Sequence, residues 1–175
     1  MFSPRLETER LILRRIDEND LDVMYELITD ERLSKFLIFP NNTKEDELEY
    51  IKKLILNYDT DIHEQWMIVR KEDNVPVGHI GVNNVYKKHN YCNVGYTIRY
   101  DYWGNGYAAE ALKVVTDHLL NDIGHRLVEC SCNEKNTQSS RVMIKAGFTK
   151  DGYIANRRQN KDGTYSGVEY YSKTK

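Results

Sequence analysis

No stretch of about 18 consecutive apolar residues occurs in this sequence, which removes the usual signature of a membrane-spanning helix. The opening, Met1-Phe2-Ser3-Pro4-Arg5, lacks the apolar core of a signal peptide, so a soluble, cytoplasmic protein with no membrane partner is expected. A charge excess is missing too. Lys and Arg number 25 against 27 Asp and Glu, and the net charge of −2 offers no general attraction for nucleic acid. Cysteine is scarce. Cys92, Cys130 and Cys132 cannot close into a full disulfide set, and Cys130-x-Cys132 lacks the C-x-x-C spacing and second ligand pair of a zinc site. They are expected as free thiols packed like small hydrophobes, with no metal bound. Internal repeats, low-complexity segments and long linkers are absent as well. The 175 residues, 40% of them hydrophobic, are therefore expected to form one domain over 1–175 around one core.

What is present reads as strands mixed with helices. Arg10-Leu11-Ile12-Leu13-Arg14 is a first strand, and Asp17 to Asp20 offers capping carboxylates before a helical stripe of Leu21, Met24, Leu27 and Ile28. After Pro40-Asn41-Asn42, Thr43 caps a second helix, with Glu45 to Glu47 in its first turn and Leu48, Ile51 and Ile55 as its stripe. Trp66 to Arg70 and Val75 to Val82 make a hairpin around Glu72-Asp73-Asn74. A third strand runs from Tyr91 to Arg99, with Val94, Tyr96 and Ile98 on one face and Gly95 as the expected bulge. Tyr107 to Asp122 is the clearest helix, because Ala108, Ala111, Leu112, Val115 and Leu119 share a stripe and Gly124 stands at the C-cap. The strand that follows, Arg126 to Cys132, is expected beside a parallel neighbour, which makes the sheet mixed. A helix from Gln138 to Ala146 ends at Gly147. Strands at Thr149 to Ile154 and Gly167 to Ser172 then close a hairpin around Asn160-Lys161-Asp162-Gly163.

The most informative segment is Tyr102-Trp103-Gly104-Asn105-Gly106-Tyr107-Ala108-Ala109-Glu110-Ala111. Two glycines between a strand and a helix permit positive φ and close approach, while the first helical turn leaves N–H groups unpaired at the positive end of the helix dipole. Such a turn suits a pyrophosphate, although an isolated G-x-G also serves as a plain strand-to-helix connection. No Gly-Lys-Ser or Gly-Lys-Thr follows, as a nucleotide-hydrolysing loop needs. Ala109 stands where the dinucleotide fingerprint has its third glycine.

Trp103-Gly104-Asn105-Gly106-Tyr107-Ala108 resembles the acetyl-CoA signature of the GNAT superfamily, Q/R-x-x-G-x-G/A, with Gly106 and Ala108 at its last two fixed positions. Trp103 departs from Gln or Arg, and this departure is typical of the subgroup resembling RimJ/RimL-type ribosomal-protein N-terminal acetyltransferases. Two further segments resemble that subgroup. One is the opening Leu6-Glu7-Thr8-Glu9-Arg10-Leu11-Ile12-Leu13-Arg14; the other is Asn136 to Ser139 with Arg141-Val142-Met143 and Lys145-Ala146-Gly147-Phe148. The resemblance covers nearly the whole chain. It implies an α/β (α+β) fold, a mixed and mostly antiparallel twisted sheet of about six or seven strands flanked by about four helices. It also implies an N-acetyltransferase that uses acetyl-CoA as cosubstrate, without a metal, to acetylate a primary amine.

By that resemblance the amides around Gly104, Gly106, Tyr107, Ala108 and Ala109 hold the CoA pyrophosphate, and the main chain of Tyr96, Thr97 and Ile98 pairs with the pantetheine arm. Asn136 and Ser139 fall where CoA contact and protonation of the leaving thiolate are expected, although both residue types are also preferred helix caps. The tyrosine used as general acid by many relatives has no counterpart just after Asn136, which makes Ser139 the candidate. Glu129 is the candidate base, against its reading as an ordinary exposed strand glutamate. His79, His118 and His125 are not favoured. Asn93 stands where many relatives carry an acidic residue near the acceptor amine. Phe36, Phe39, Tyr86, Tyr91 and Tyr165 are candidates to line the acceptor site, a protein N-terminus or a small amine. A non-catalytic acyl-CoA sensor is the alternative. Nucleic-acid binding through Arg157-Arg158 and Lys161 ranks below both, since those charges read as a solvated loop. The expected state is a monomer or a homodimer.

Overall fold

The computed structural model describes residues 3–33, 42–60, 64–160 and 162–175. The chain opens with β1 (Leu6–Glu7) and β2 (Leu11–Arg14), followed by a 3-10 turn and α1 (Leu21–Thr29). The expected carboxylates do cap this entry: Asp17 and Asp20 form a capping box, and the buried Asp20 receives both ends of the Arg14 guanidinium at 2.7 and 2.8 Å. Helix α2 (Lys44–Asn57) starts at Thr43, whose hydroxyl accepts from the Asp46 N–H at 3.2 Å. Its buried stripe is Glu47, Ile51 and Leu54, continued by Tyr58, in place of the expected Leu48, Ile51 and Ile55. Ile55 lies on the exposed side because only residues at 47, 51, 54 and 58 face the sheet.

Strands β3 (Gln65–Arg70), β4 (Val75–Tyr86) and β5 (Tyr91–Ile98) form the antiparallel meander. The bulge lies at Asn83 on β4, between Val82 and Asn84, and not at Gly95. Gly95 pairs regularly with Gly81. Its missing side chain leaves room for Asn83, whose Nδ2 would lie 2.5 Å from a Cβ at position 95. Helix α3 (Tyr107–His118) continues as a π-helical turn to Ile123 and ends at Gly124, where φ is 88°. Strand β6 (Leu127–Asn133), α4 (Thr137–Lys145), β7 (Thr149–Gln159) and β8 (Tyr165–Thr174) complete the chain. Arg157 and Arg158 belong to β7 rather than to a loop, while Lys161, Phe36 and Phe39 lie outside the described residues.

The order is β1-β2-β3-β4-β5-β6-β8-β7, eight strands against the six or seven expected, with the two-residue β1 as the addition. One face carries α3 and α4 over Leu112, Val115, Val128, Cys130, Met143 and Phe148, and the other carries α1 and α2 over Met24, Leu27, Ile51, Met67 and Val69. Among the described strands only β5 and β6 pair in parallel, and only over Tyr91↔Leu127, Cys92↔Val128 and Asn93↔Glu129. Beyond that point β6 stays with β8 down to Asn133, and β5 stays with β4 up to Ile98. The sheet opens between them. Val94 to Ile98 therefore present a strand edge without a strand partner, and that edge leads to the glycine turn.

Candidate active site

The glycine turn begins where β5 ends. Trp103 donates its indole N–H to the Ile98 carbonyl at 2.8 Å, which ties the turn to the strand and gives the tryptophan at the variant signature position a structural task. Gly104 and Gly106 both have φ of 80°, in the left-handed region that a side chain disfavours, and Gly106 is the N-cap of α3. No side chain caps this end, so the amides of the first turn stay directed outward from the helix.

Two cations flank the turn that motif reading did not assign. A Cβ built on Gly106 would lie 3.5 Å from Lys145 Nζ and 3.6 Å from Arg10 Nη2. Arg10 donates to the Asn105 carbonyl at 3.0 Å and pairs with Glu110 in the first turns of α3, its Nη2 2.6 Å from Oε2. Burial opposes ionisation of Glu110, but hydrogen bonds from Thr8 and Arg10 outweigh it and hold the carboxyl below its usual range. Glycine amides, a helix dipole and two nearby cations make a site that fits a pyrophosphate. Position 10 lies roughly 100 residues upstream of the turn and gives no signal of this proximity.

The second part of the site is at the mouth of the opening between β5 and β6. Asn136 caps α4, its side-chain oxygen accepting from the Ser139 N–H at 3.2 Å, so its helix-cap role is realised. The Ser139 hydroxyl lies 2.9 Å from the Tyr96 hydroxyl, which also lies 3.1 Å from the Ser139 carbonyl. Tyr96 is on β5 and Ser139 on α4, so this contact joins one arm of the opening to the helix that follows the other. On the opposite face, Glu129 accepts from Asn93 Nδ2 at 3.1 Å, and Asn83 Nδ2 approaches Asn93 Oδ1 at 3.4 Å. Asn83 also lines a cavity of about 330 Å³ with Tyr50, Lys53, Leu54, Asn57, Gln65 and Val82. Glu129 does not line that cavity; it is linked to the cavity wall through Asn93 and Asn83.

The histidines are engaged elsewhere. His79 Nε2 lies 2.7 Å from Gln65 Oε1, and burial lowers its pKa to about 4. His118 lies between Glu64 and Asp122, at 3.3 and 2.9 Å, while His125 Nδ1 is 3.3 Å from Asn90 Oδ1. All three cysteines are buried and free, and burial raises the thiols of Cys92 and Cys132 to about 12 and about 11. Tyr86 stacks on Tyr91 with centroids 4.3 Å apart, at the tip of the β4–β5 hairpin. Tyr165 begins β8 and is largely exposed, so these aromatics do not converge on one site.

An open strand edge leading to a glycine turn at a helix N-terminus is the arrangement that the resemblance implies for an acyl-CoA-dependent acyltransferase. Residues 10–149 match the acetyltransferase (GNAT) domain family. The chain is 27% identical over 170 residues, 97% of its length and 96% of the other's, to a Bacillus subtilis protein described as uncharacterized N-acetyltransferase YoaA. It is 24% identical to the Escherichia coli ribosomal-protein-serine acetyltransferase, covering 95% of this chain and 93% of that one. Its fold matches that of RimL, a ribosomal L7/L12 α-N-protein acetyltransferase solved with coenzyme A, with a TM-score of 0.85 at 20% identity over 99% and 98% of the two chains. The chain belongs to the GNAT family and is an acetyl-CoA-dependent N-acetyltransferase. Among the described residues no helix is long and apolar enough to cross a membrane, and no three His, Cys, Asp or Glu side chains are grouped to hold a metal ion.

Proposed function

We propose that this chain transfers the acetyl group of acetyl-CoA directly to a primary amine at the opening between β5 and β6. The observation that carries the reading is the continuity of the free β5 edge with the glycine turn. Main-chain groups of Tyr96, Thr97 and Ile98 would pair with the pantetheine arm, and the amides of Gly104, Gly106, Tyr107, Ala108 and Ala109 would receive the pyrophosphate. Arg10 and Lys145 add positive charge at that end, and Asn136 positions the start of α4.

Transfer needs a deprotonated amine, a polarised thioester and a donor to the departing sulfur. Glu129 is the base in this reading, held by Asn93, and Ser139 is the donor. The acceptor enters over the cavity beside α2, where Asn83 and Asn93 connect the cavity wall to Glu129. A protein N-terminus is the proposed amine, supported by the E. coli and RimL relatives that act on ribosomal proteins. Incubation with isotope-labelled acetyl-CoA and cell extract, read by mass spectrometry, tests this. Label on protein N-termini is expected. Label confined to small amines would move the acceptor class. CoA binding without thiol release from any amine would leave a sensor.

A further inference from the structure

The half-buried hydroxyl of Tyr96 is the feature of the site that the transfer reading leaves without a task. It sits on the strand whose main chain is proposed to pair with pantetheine, yet its side chain reaches across to α4 and meets both the carbonyl and the hydroxyl of Ser139, at 3.1 and 2.9 Å. A phenol has one proton and Ser139 offers two acceptors. The shorter contact is to Oγ.

We propose that Tyr96 is a positioning residue that donates its hydroxyl proton to Ser139 Oγ and thereby turns the Ser139 O–H toward the sulfur of acetyl-CoA. The inference rests on the role given to Ser139 above. Without Tyr96, the Ser139 hydroxyl can rotate to donate elsewhere, as an unconstrained serine rotor does. With the phenol as donor, Oγ is occupied as an acceptor and its own proton is left for the opening. Burial pushes the Tyr96 phenol well above its ordinary value and outweighs the hydrogen bond with Ser139, which acts the other way, so the phenol keeps its proton.

In the step itself the C–N bond forms, the C–S bond breaks and the electron pair stays on sulfur. The nitrogen gives up two protons in turn, one before attack and one as the amide forms, each through Glu129 to solvent; one of them is balanced by the proton the thiolate takes from water. The two hydroxyls keep their protons: a thiolate of ordinary pKa, about 8.5, does not take one from a serine backed by a phenol above 10. Their contribution is two hydrogen bonds in series to the developing thiolate, and the free thiol is completed from water. An ammonium and acetyl-CoA thus become an amide, CoA thiol and one proton.

Tyr96→Phe removes the oxygen and keeps the ring. Its kcat should fall about tenfold with the KM for acetyl-CoA within about twofold, because the lost bond acts on the transition state. A readout independent of turnover is the ultraviolet absorbance of bound CoA thiolate across pH. The apparent thiol pKa of bound CoA should rise by about one unit in Tyr96→Phe. Adding Tyr96→Phe to Ser139→Ala should change neither quantity further. Should Tyr96→Phe not fold, 3,5-difluorotyrosine at position 96 retains the shape and is a stronger donor, and it should lower the bound thiol pKa. A wild-type thiol pKa and kcat in Tyr96→Phe, or a faster enzyme, would overturn the inference while a slow Ser139→Ala kept the role of Ser139. If Ser139→Ala turns over normally, the donor assignment fails and this inference with it, while the acetyl-transfer reading stands.

Discussion

Asn93 Nδ2 donates to Glu129 Oε1 at 3.1 Å, and these two residues are the last register pair before β5 and β6 part. A carboxylate from β6 is thereby placed against Asn93, the position on β5 where the family resemblance leads one to expect an acid. The amide at 93 holds that carboxylate in place.

Replacing Glu129 with Gln keeps an acceptor for Asn93 while removing the base. We expect kcat/KM to fall by about 10²–10⁴-fold with little change in melting temperature. Asn93→Asp should move the acidic limb of the pH–rate profile to higher pH, because two neighbouring carboxylates resist joint ionisation. Full activity of Glu129→Gln would assign proton removal to water or another group.

Gly106→Glu is expected to abolish CoA binding in calorimetry. The substitution strains a φ of 80° and places a carboxylate between Lys145 and Arg10, where it takes the cations proposed for phosphate. An unchanged affinity in a folded variant would make the turn purely structural.

Transfer without a cysteinyl intermediate predicts that Cys92, Cys130 and Cys132 can be replaced by Ala or Ser with most of the activity retained. Burial keeps all three as thiols, and a thiol is a far weaker nucleophile than a thiolate. Some loss of melting temperature is expected, since the sites are in the core. An acetyl-cysteine adduct that disappears on adding acceptor would refute direct transfer.

Stability should carry two histidine signatures of opposite sign. Burial depresses His79 from 6.5 to about 4, so its contribution is present above about 6.5 and is lost as pH falls toward 4. For His118, burial alone would lower the pKa, but the hydrogen bonds its ring N–H groups donate to Glu64 and Asp122 outweigh it and raise the folded value above 6.5. Its contribution is present below 6.5 and is lost as pH rises through that raised value. Melting curves should show His79→Gln losing less stability than wild type on acidification. His118→Gln should lose less on alkalinisation above 6.5.

Much of the architecture was legible in local pattern. Thr43 and Asp46, Gly124 after α3, and the hairpin at Asn74 act through neighbours in sequence, and caps and turns are governed by such neighbours. In α2 the helical period alone does not separate half-buried Leu48 and exposed Ile55 from the buried Glu47, Ile51 and Leu54. Strand pattern points to a bulge at Gly95, whereas that glycine is the space its partner strand's Asn83 needs. A glycine in a strand marks a close approach without saying from which side.

By itself the sequence determined the strand and helix order, the glycine turn and the family, because each depends on residues a few positions apart. Only the tertiary structure decided that Arg10 and Lys145 meet at Gly106, that β5 and β6 pair for three residues and then part, and that Asn93 holds Glu129 while Tyr96 touches Ser139. These contacts join residues 36 to about 135 positions apart, and side chains at such separations are brought together by sheet register and helix packing.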